Sequence, residues 1–198
     1  ISSLSLLGKS LLFNWLLFSS VLFNSLLLNS SGELALSSCT IHYPQKAENI
    51  TDDIDLVVYT AAIREDNPEL AAAKKAGIAC ITRAELLGGI MNNYDVALNI
   101  AGTHGKTTTT SMISEILLAA DADPTISVGG ILNSIGGNIR IGKSGIFVTE
   151  ACEYTNSFLS FMPTMNIILN VKEDHLDFFK DIDDIRHSFK LFTEKLPD

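Results

Sequence analysis

The chain has 198 residues, a formal net charge of −9 and a pI near 4.8, enough length for one or two domains with a sizeable core. The acidic balance argues against a nucleic-acid partner, which needs a basic face. Cys39, Cys80 and Cys152 lie far apart, with no Cys-x-x-Cys pair or Cys/His cluster. That spacing indicates neither a disulfide framework nor a structural metal and fits a reducing, cytoplasmic setting.

Residues 1–45 differ from the remainder. From Ile1 to Thr40 the only charged side chains are Lys9 and Glu33, in a background of Leu, Ser, Phe and Asn. The stretch from Leu11 to Leu28 is long enough to raise a membrane span or signal sequence. Asn14, Asn24 and repeated serines interrupt it, and no flanking Lys or Arg cluster orients it, so a membrane association is not expected. Neither a helical nor an alternating period organises it, and the expectation is an atypical, loosely helical leader.

From Lys46 the chain reads as alternating strand and helix. Ile54 to Thr60 is a short β-branched run, hence a buried strand. Asn67-Pro68 opens a helix through Lys75 that Gly77 ends, with proline in its tolerated first-turn position. Ile78 to Thr82 is a strand, Arg83 to Asn92 a helix, and Val96 to Ile100 a strand leading into Gly102-Thr103-His104-Gly105-Lys106-Thr107. A helix is predicted over Thr107 to Ala120, then strands at Thr125 to Val128, Ile146 to Thr149 and Met165 to Val171, and an amphipathic helix from Asp183 to Leu196. Strands separated by such helices predict an α/β fold with mainly parallel sheets and helices on both faces.

The turn after Ile100 carries the chemistry. Gly102 and Gly105 let backbone N–H groups approach phosphate oxygens where a Cβ would obstruct them. The following helix points its positive dipole end at the same anion. Lys106 adds a full charge, and the Thr107 hydroxyl is placed for a magnesium ion. Ile100 stands where the general pattern GxxxxGK[ST] has its first glycine. Two acidic segments end later strands: Glu150-Ala151-Cys152-Glu153, and Glu173-Asp174-His175-Leu176-Asp177. If both strands neighbour the cradle strand, Glu150 and His175 converge on the phosphates, with carboxylate oxygen suited to magnesium and imidazole to a second ion. His104 lies inside the cradle, His187 in the last helix and His42 at the compositional junction, while Cys80 and Cys152 read as small buried apolar residues.

Together these segments resemble the Mur ligase family. The resemblance rests on Ala47-Glu48-Asn49-Ile50, Thr60-Ala61-Ala62-Ile63, Asn67-Pro68-Glu69-Leu70, Thr82-Arg83-Ala84-Glu85-Leu86-Leu87, Ala101 to Thr110, Gly129-Gly130-Ile131-Leu132-Asn133, Glu150 to Glu153, and Asn170 with Glu173 to Asp177. It implies a Rossmann-like UDP-sugar domain, of which residues 46–95 would be the remainder, and a P-loop ATPase domain, of which 96–198 would be the N-terminal part. It implies ATP and Mg2+ as cofactors. The four-threonine run and the Glu-Ala-x-Glu pattern favour the member that joins L-alanine to UDP-N-acetylmuramate through an acyl phosphate. By the same resemblance Lys106, Glu150 and His175 are catalytic, and Gly102, Thr103, His104, Gly105, Lys106, Thr107 and Thr108 bind ATP. Thr107, Glu150 and His175 hold metal, and Arg83, His104 and Glu153 face the UDP-sugar. Residues 1–45 lack the family's G-x-G-G turn and the sequence stops after the second acidic segment, so the expectation is a truncated, catalytically inactive fragment. A stand-alone nucleotide-binding module and a sibling amide ligase of the Mur or folylpolyglutamate type stay open beside it.

Overall fold

In the computed structural model the described residues are 10–13, 26–28, 34–36 and 42–197. Lys9, Trp15 and Cys39, and most of the apolar stretch from Leu11 to Leu28, lie outside them. The chain divides into two compact units, residues 1–86 and 87–198.

The first unit holds a parallel three-stranded sheet in the order β1-β4-β5, with β1 at Ser10–Phe13, β4 at Ile54–Tyr59 and β5 at Ala79–Thr82. A separate antiparallel pair joins β2 (Leu26–Leu28) to β3 (Leu34–Leu36). The strands at residues 10–13, 26–28 and 34–36 differ from the loosely helical leader expected there. Strand pairing, parallel for β1 and antiparallel for β2 and β3, supplies backbone partners to a segment that has no side-chain period of its own. Helix α1 (Pro68–Lys75) starts where predicted, because the Asn67 side chain accepts from the backbone N–H groups of Glu69 and Leu70. Gly77, at φ +74°, ends it. Ile54, Val57 and Ala73 form one core cluster of this unit, with Ile50, Ile78 and Cys80 packed against it.

Helix α2 (Arg83–Met91) runs from the first unit into the second. The second unit is a five-stranded sheet in the order β10-β6-β9-β7-β8. Its strands are β6 (Val96–Ala101), β7 (Thr125–Leu132), β8 (Gly137–Arg140), β9 (Ile146–Ala151) and β10 (Met165–Ile168). Only β7–β8 is antiparallel. β6 alternates between the two faces of the sheet. Leu98 and Ile100, with Val148 of β9, pack against Ile113 and Leu117 of α3 (Lys106–Ala119). Asn99 faces the other way, where its Nδ2 meets Met91 Sδ at 4.0 Å, and Asn166 of β10 donates to the Phe192 carbonyl. That side is covered by α4 (Ile182–Thr193), capped by Asp181, and by the turn at Tyr154–Ser160. There Phe158 stacks on Phe192 at 4.5 Å and meets Phe189 edge-on at 5.2 Å. Gly88 of α2 lies so close to the Ser160 carbonyl that no Cβ fits.

Candidate functional site

The strand order sets the site. β6 lies between β9 and β10, both parallel to it, so three carboxyl ends open on the same edge. Ile100 is in register with Glu150, and Ala101 with Ile168. The Gly-rich turn therefore emerges beside Glu150 on one flank and the segment after Ile168 on the other. The topological condition for bringing the two acidic segments to the cradle is met.

The turn itself is held by residues 170–172. Asn170 Oδ1 accepts from the His104 backbone N–H at 3.0 Å, and its Nδ2 donates to the His104 carbonyl at 2.9 Å. Its backbone carbonyl accepts from Thr103 N–H, while Lys172 N–H donates to Thr103 Oγ1 at 2.9 Å. Gly102 (φ +138°) and Gly105 (φ +89°) take conformations that favour glycine, and Gly102 passes against the backbone of Asn170. Gly105 caps α3 without a side-chain acceptor, so the first N–H groups of the helix face the turn unsatisfied by a cap.

Lys106 is largely buried, with a side-chain exposure of 16%. Its Nζ donates to the Gly102 carbonyl at 2.5 Å, the Thr103 carbonyl at 3.3 Å and Glu153 Oε2 at 2.9 Å. Glu153 is 2% exposed, and its Oε1 has no hydrogen-bond partner. The resemblance directs Glu153 toward a sugar; the structure instead buries it on Lys106. A carboxylate in that position needs a cation, and this lysine is within reach.

Thr107 and Thr108 are exposed. Thr107 Oγ1 donates to Glu150 Oε2 at 3.0 Å, and the other oxygen of Glu150 accepts from the Gly129 N–H. Gly129 and Gly130 were legible only as a matching segment, without a role. A Cβ on Gly129 would stand 2.9 Å from the Glu150 carboxylate, and one on Gly130 would stand 3.2 Å from the Thr107 methyl. The two glycines clear space for the hydroxyl–carboxylate pair.

His175 lies beyond β10, half-buried and with φ +52°. Its ring packs on Tyr154 with centroids 4.5 Å apart, and the Tyr154 hydroxyl donates to Asp177 Oδ2 at 2.9 Å. That bond and the charge of Asp177 hold the Tyr154 phenol above its ordinary value. Among the described residues no three His, Cys, Asp or Glu side chains converge as a metal cluster. Two adjacent hard oxygens, Thr107 Oγ1 and Glu150 Oε2, nevertheless suit magnesium, which completes its shell with substrate phosphates and water rather than an all-protein cage.

His104 is exposed and enters the clamp through its backbone; Arg83 belongs to the first unit. His42 and His187 are exposed. Cys152 is exposed rather than buried, because it falls between two inward-facing neighbours, Ala151 and Glu153. Cys80 is half-buried, and burial pushes its thiol up. No helix among the described residues is long and apolar enough to cross a membrane.

Comparison with known proteins places the chain in a family. The family model described as the Mur ligase middle domain matches residues 100–198. The model described as the Mur ligase family, catalytic domain, matches residues 31–95, beginning inside the compositionally distinct stretch. The chain is similar to the UDP-N-acetylmuramate–L-alanine ligase of Lachnospira eligens, with 78% identity over 165 residues, 83% of this chain and 36% of that protein. The ligase of the same name from Agathobacter rectalis is 69% identical over 160 residues, 81% of this chain and 35% of its own length. Among solved structures, the UDP-N-acetylmuramate-alanine ligase of Thermotoga maritima superposes with a TM-score of 0.70 at 31% identity, covering 78% of this chain and 36% of that one. The chain thus spans about a third of the length of these relatives.

Proposed function

This chain belongs to the Mur ligase family, and from that premise we propose that residues 102–107, with Glu150, form the ATP-phosphate and magnesium site of a ligase. The reaction proposed for the whole protein joins L-alanine to UDP-N-acetylmuramate, as the names of its relatives suggest, and its proposed setting is the cytoplasm. The observation that carries the reading is the pairing of Thr107 with Glu150 at the N-terminus of α3, beside the lysine of the Gly-rich turn.

In this reading the uncapped N–H groups at the start of α3 bind the β- and γ-phosphates, and Lys106 neutralises charge on the transferred phosphoryl group. Thr107 and Glu150 would hold Mg2+, which, when bound, draws charge from the phosphate oxygens. The muramyl carboxylate attacks the γ-phosphorus and ADP leaves. The amine of L-alanine then adds to the acyl carbon, and phosphate departs as the amide forms. Asn170 keeps the turn in its binding shape. His175, held against Tyr154, is proposed as the ligand of a second Mg2+ near the acyl phosphate. Arg83 and His104 are proposed to face the UDP-sugar. Residues 46–95 are assigned to the UDP-sugar domain and 96–198 to the ATPase domain.

The test has two levels. Isothermal titration of the chain with ATP and Mg2+ is expected to give saturable binding that Lys106→Met abolishes. Residues 42–197 grafted into the Lachnospira eligens ligase are expected to retain alanine-dependent phosphate release, and Lys106→Met to remove it. A graft that folds yet releases no phosphate, or a Lys106→Met variant that still binds ATP, would overturn the assignment.

A further inference from the structure

We propose that Glu153 is a positioning residue that competes for Lys106 within the cradle and so makes the site selective for magnesium-bound polyphosphate over small free anions. The inference rests on reading residues 102–107 as a nucleotide-phosphate cradle.

An ammonium group has three N–H donors. All three are engaged, by the Gly102 and Thr103 carbonyls and by Glu153 Oε2. Lys106 therefore gives a hydrogen bond to phosphate only by releasing one of these acceptors. The two carbonyls belong to a turn already fixed by Asn170 and Lys172, and they are neutral. Glu153 is the acceptor that bears charge, and its repulsion of an incoming anion is transmitted through a poorly solvated interior, since its side chain is 2% exposed.

An anion competing for Lys106 must thus outweigh a preformed ion pair. Inorganic phosphate has only the lysine and the helix N-terminus to offset that competition. A magnesium-bound triphosphate brings its own cation to Thr107 and Glu150 and adds contacts along the turn. Glu153 Oε1, left without a partner, fits a carboxylate whose role is directed at Lys106 rather than at a second structural bond.

The experiment compares the 198-residue chain with Glu153→Gln and Glu153→Asp by calorimetric titration with ATP plus Mg2+ and, separately, with inorganic phosphate. Removing the charge while keeping an acceptor is expected to tighten both ligands, phosphate by roughly tenfold or more and ATP by less, narrowing the ratio between them. Glu153→Asp keeps the charge and is expected to preserve the wild-type ratio. A purely structural role would weaken binding in both variants or leave the ratio unchanged, and either result overturns the inference. Absence of ATP binding in the unsubstituted chain sinks the phosphate reading, and this inference with it. Should the glutamine variant fail to fold, 15N-lysine spectra of the unsubstituted chain decide: a Lys106 ammonium resonance that shifts with Mg-ATP but not with phosphate supports the exchange. Equal shifts with both ligands refute it.

Discussion

Lys106 and Glu150 show how much a single residue depends on what surrounds it. Lys106, Thr107 and Glu150 could be identified from residue type and spacing, because a phosphate site needs a cation, a hydroxyl and a carboxylate near glycines. The partner of Lys106 was not legible, since nothing in Glu-Ala-Cys-Glu distinguishes the half-buried carboxylate within β9 from the buried one that follows the strand at the start of the next turn. The clearance supplied by Gly129 was equally hidden, because its meaning depends on a side chain 21 positions away. It yields a prediction. Gly129→Ala places a methyl group against the far end of a flexible side chain, so stability is expected to change by less than about 1 kcal/mol. The Glu150 carboxylate must rotate away from Thr107, and the Mg2+ concentration needed for half-maximal ATP binding is expected to rise about 10- to 100-fold. Magnesium titrations at fixed ATP, with a thermal melt of each variant, check both halves; an unchanged magnesium requirement contradicts the role given to Glu150.

Elements with strong local signals formed where expected. α1 has its Asn-Pro start and glycine stop, α4 its aspartate cap, and β6 and β9 their apolar runs. β8 was missed because Gly137-Asn138-Ile139-Arg140 has neither alternation nor an apolar run; pairing with β7, not propensity, makes it a strand. What ties this edge strand to its neighbours is Asp123, just before β7. Its carboxylate accepts from the Arg140 guanidinium and, at 2.9 Å, from the Lys143 backbone N–H, while Arg140 also donates to the Pro124 carbonyl at 2.7 Å. The guanidinium, and behind it the Lys143 N–H, hold the Asp123 carboxyl below its ordinary value. A carboxyl lowered in the folded state stabilises above its unfolded pKa of about 3.9, and that contribution disappears as pH falls through the folded value. Asp123→Asn is therefore expected to reduce the urea midpoint near pH 7, with the gap to the unsubstituted chain closing below about pH 4. A gap independent of pH would assign the tie to hydrogen-bond geometry instead of charge.

For the molecule as a whole, a net charge of −9 and a polyanionic ligand oppose each other, yet the binding surface need not be basic overall. Charges beyond about 8–10 Å are screened at physiological salt, so the few donors of the turn and one metal outweigh the distant carboxylates. The donors all lie in the second unit, on strand ends that converge through the order β10-β6-β9-β7. This convergence was conditional in the sequence, since strand order is a long-range property that residue patterns do not encode. A ligand that binds only the folded second unit should stabilise it by mass action, about 2.7 kcal/mol when its concentration is 100 times Kd. Hydrogen exchange of the chain with saturating Mg-ATP is therefore expected to slow in peptides covering residues 102–107, 129–130, 150–153 and 170–172. The strands β4 and β5 of the first unit should exchange as before, and EDTA should reverse the added protection. Uniform slowing across both units would mean that the nucleotide acts on the chain generally, and the phosphate site would lose its assignment to these strand ends.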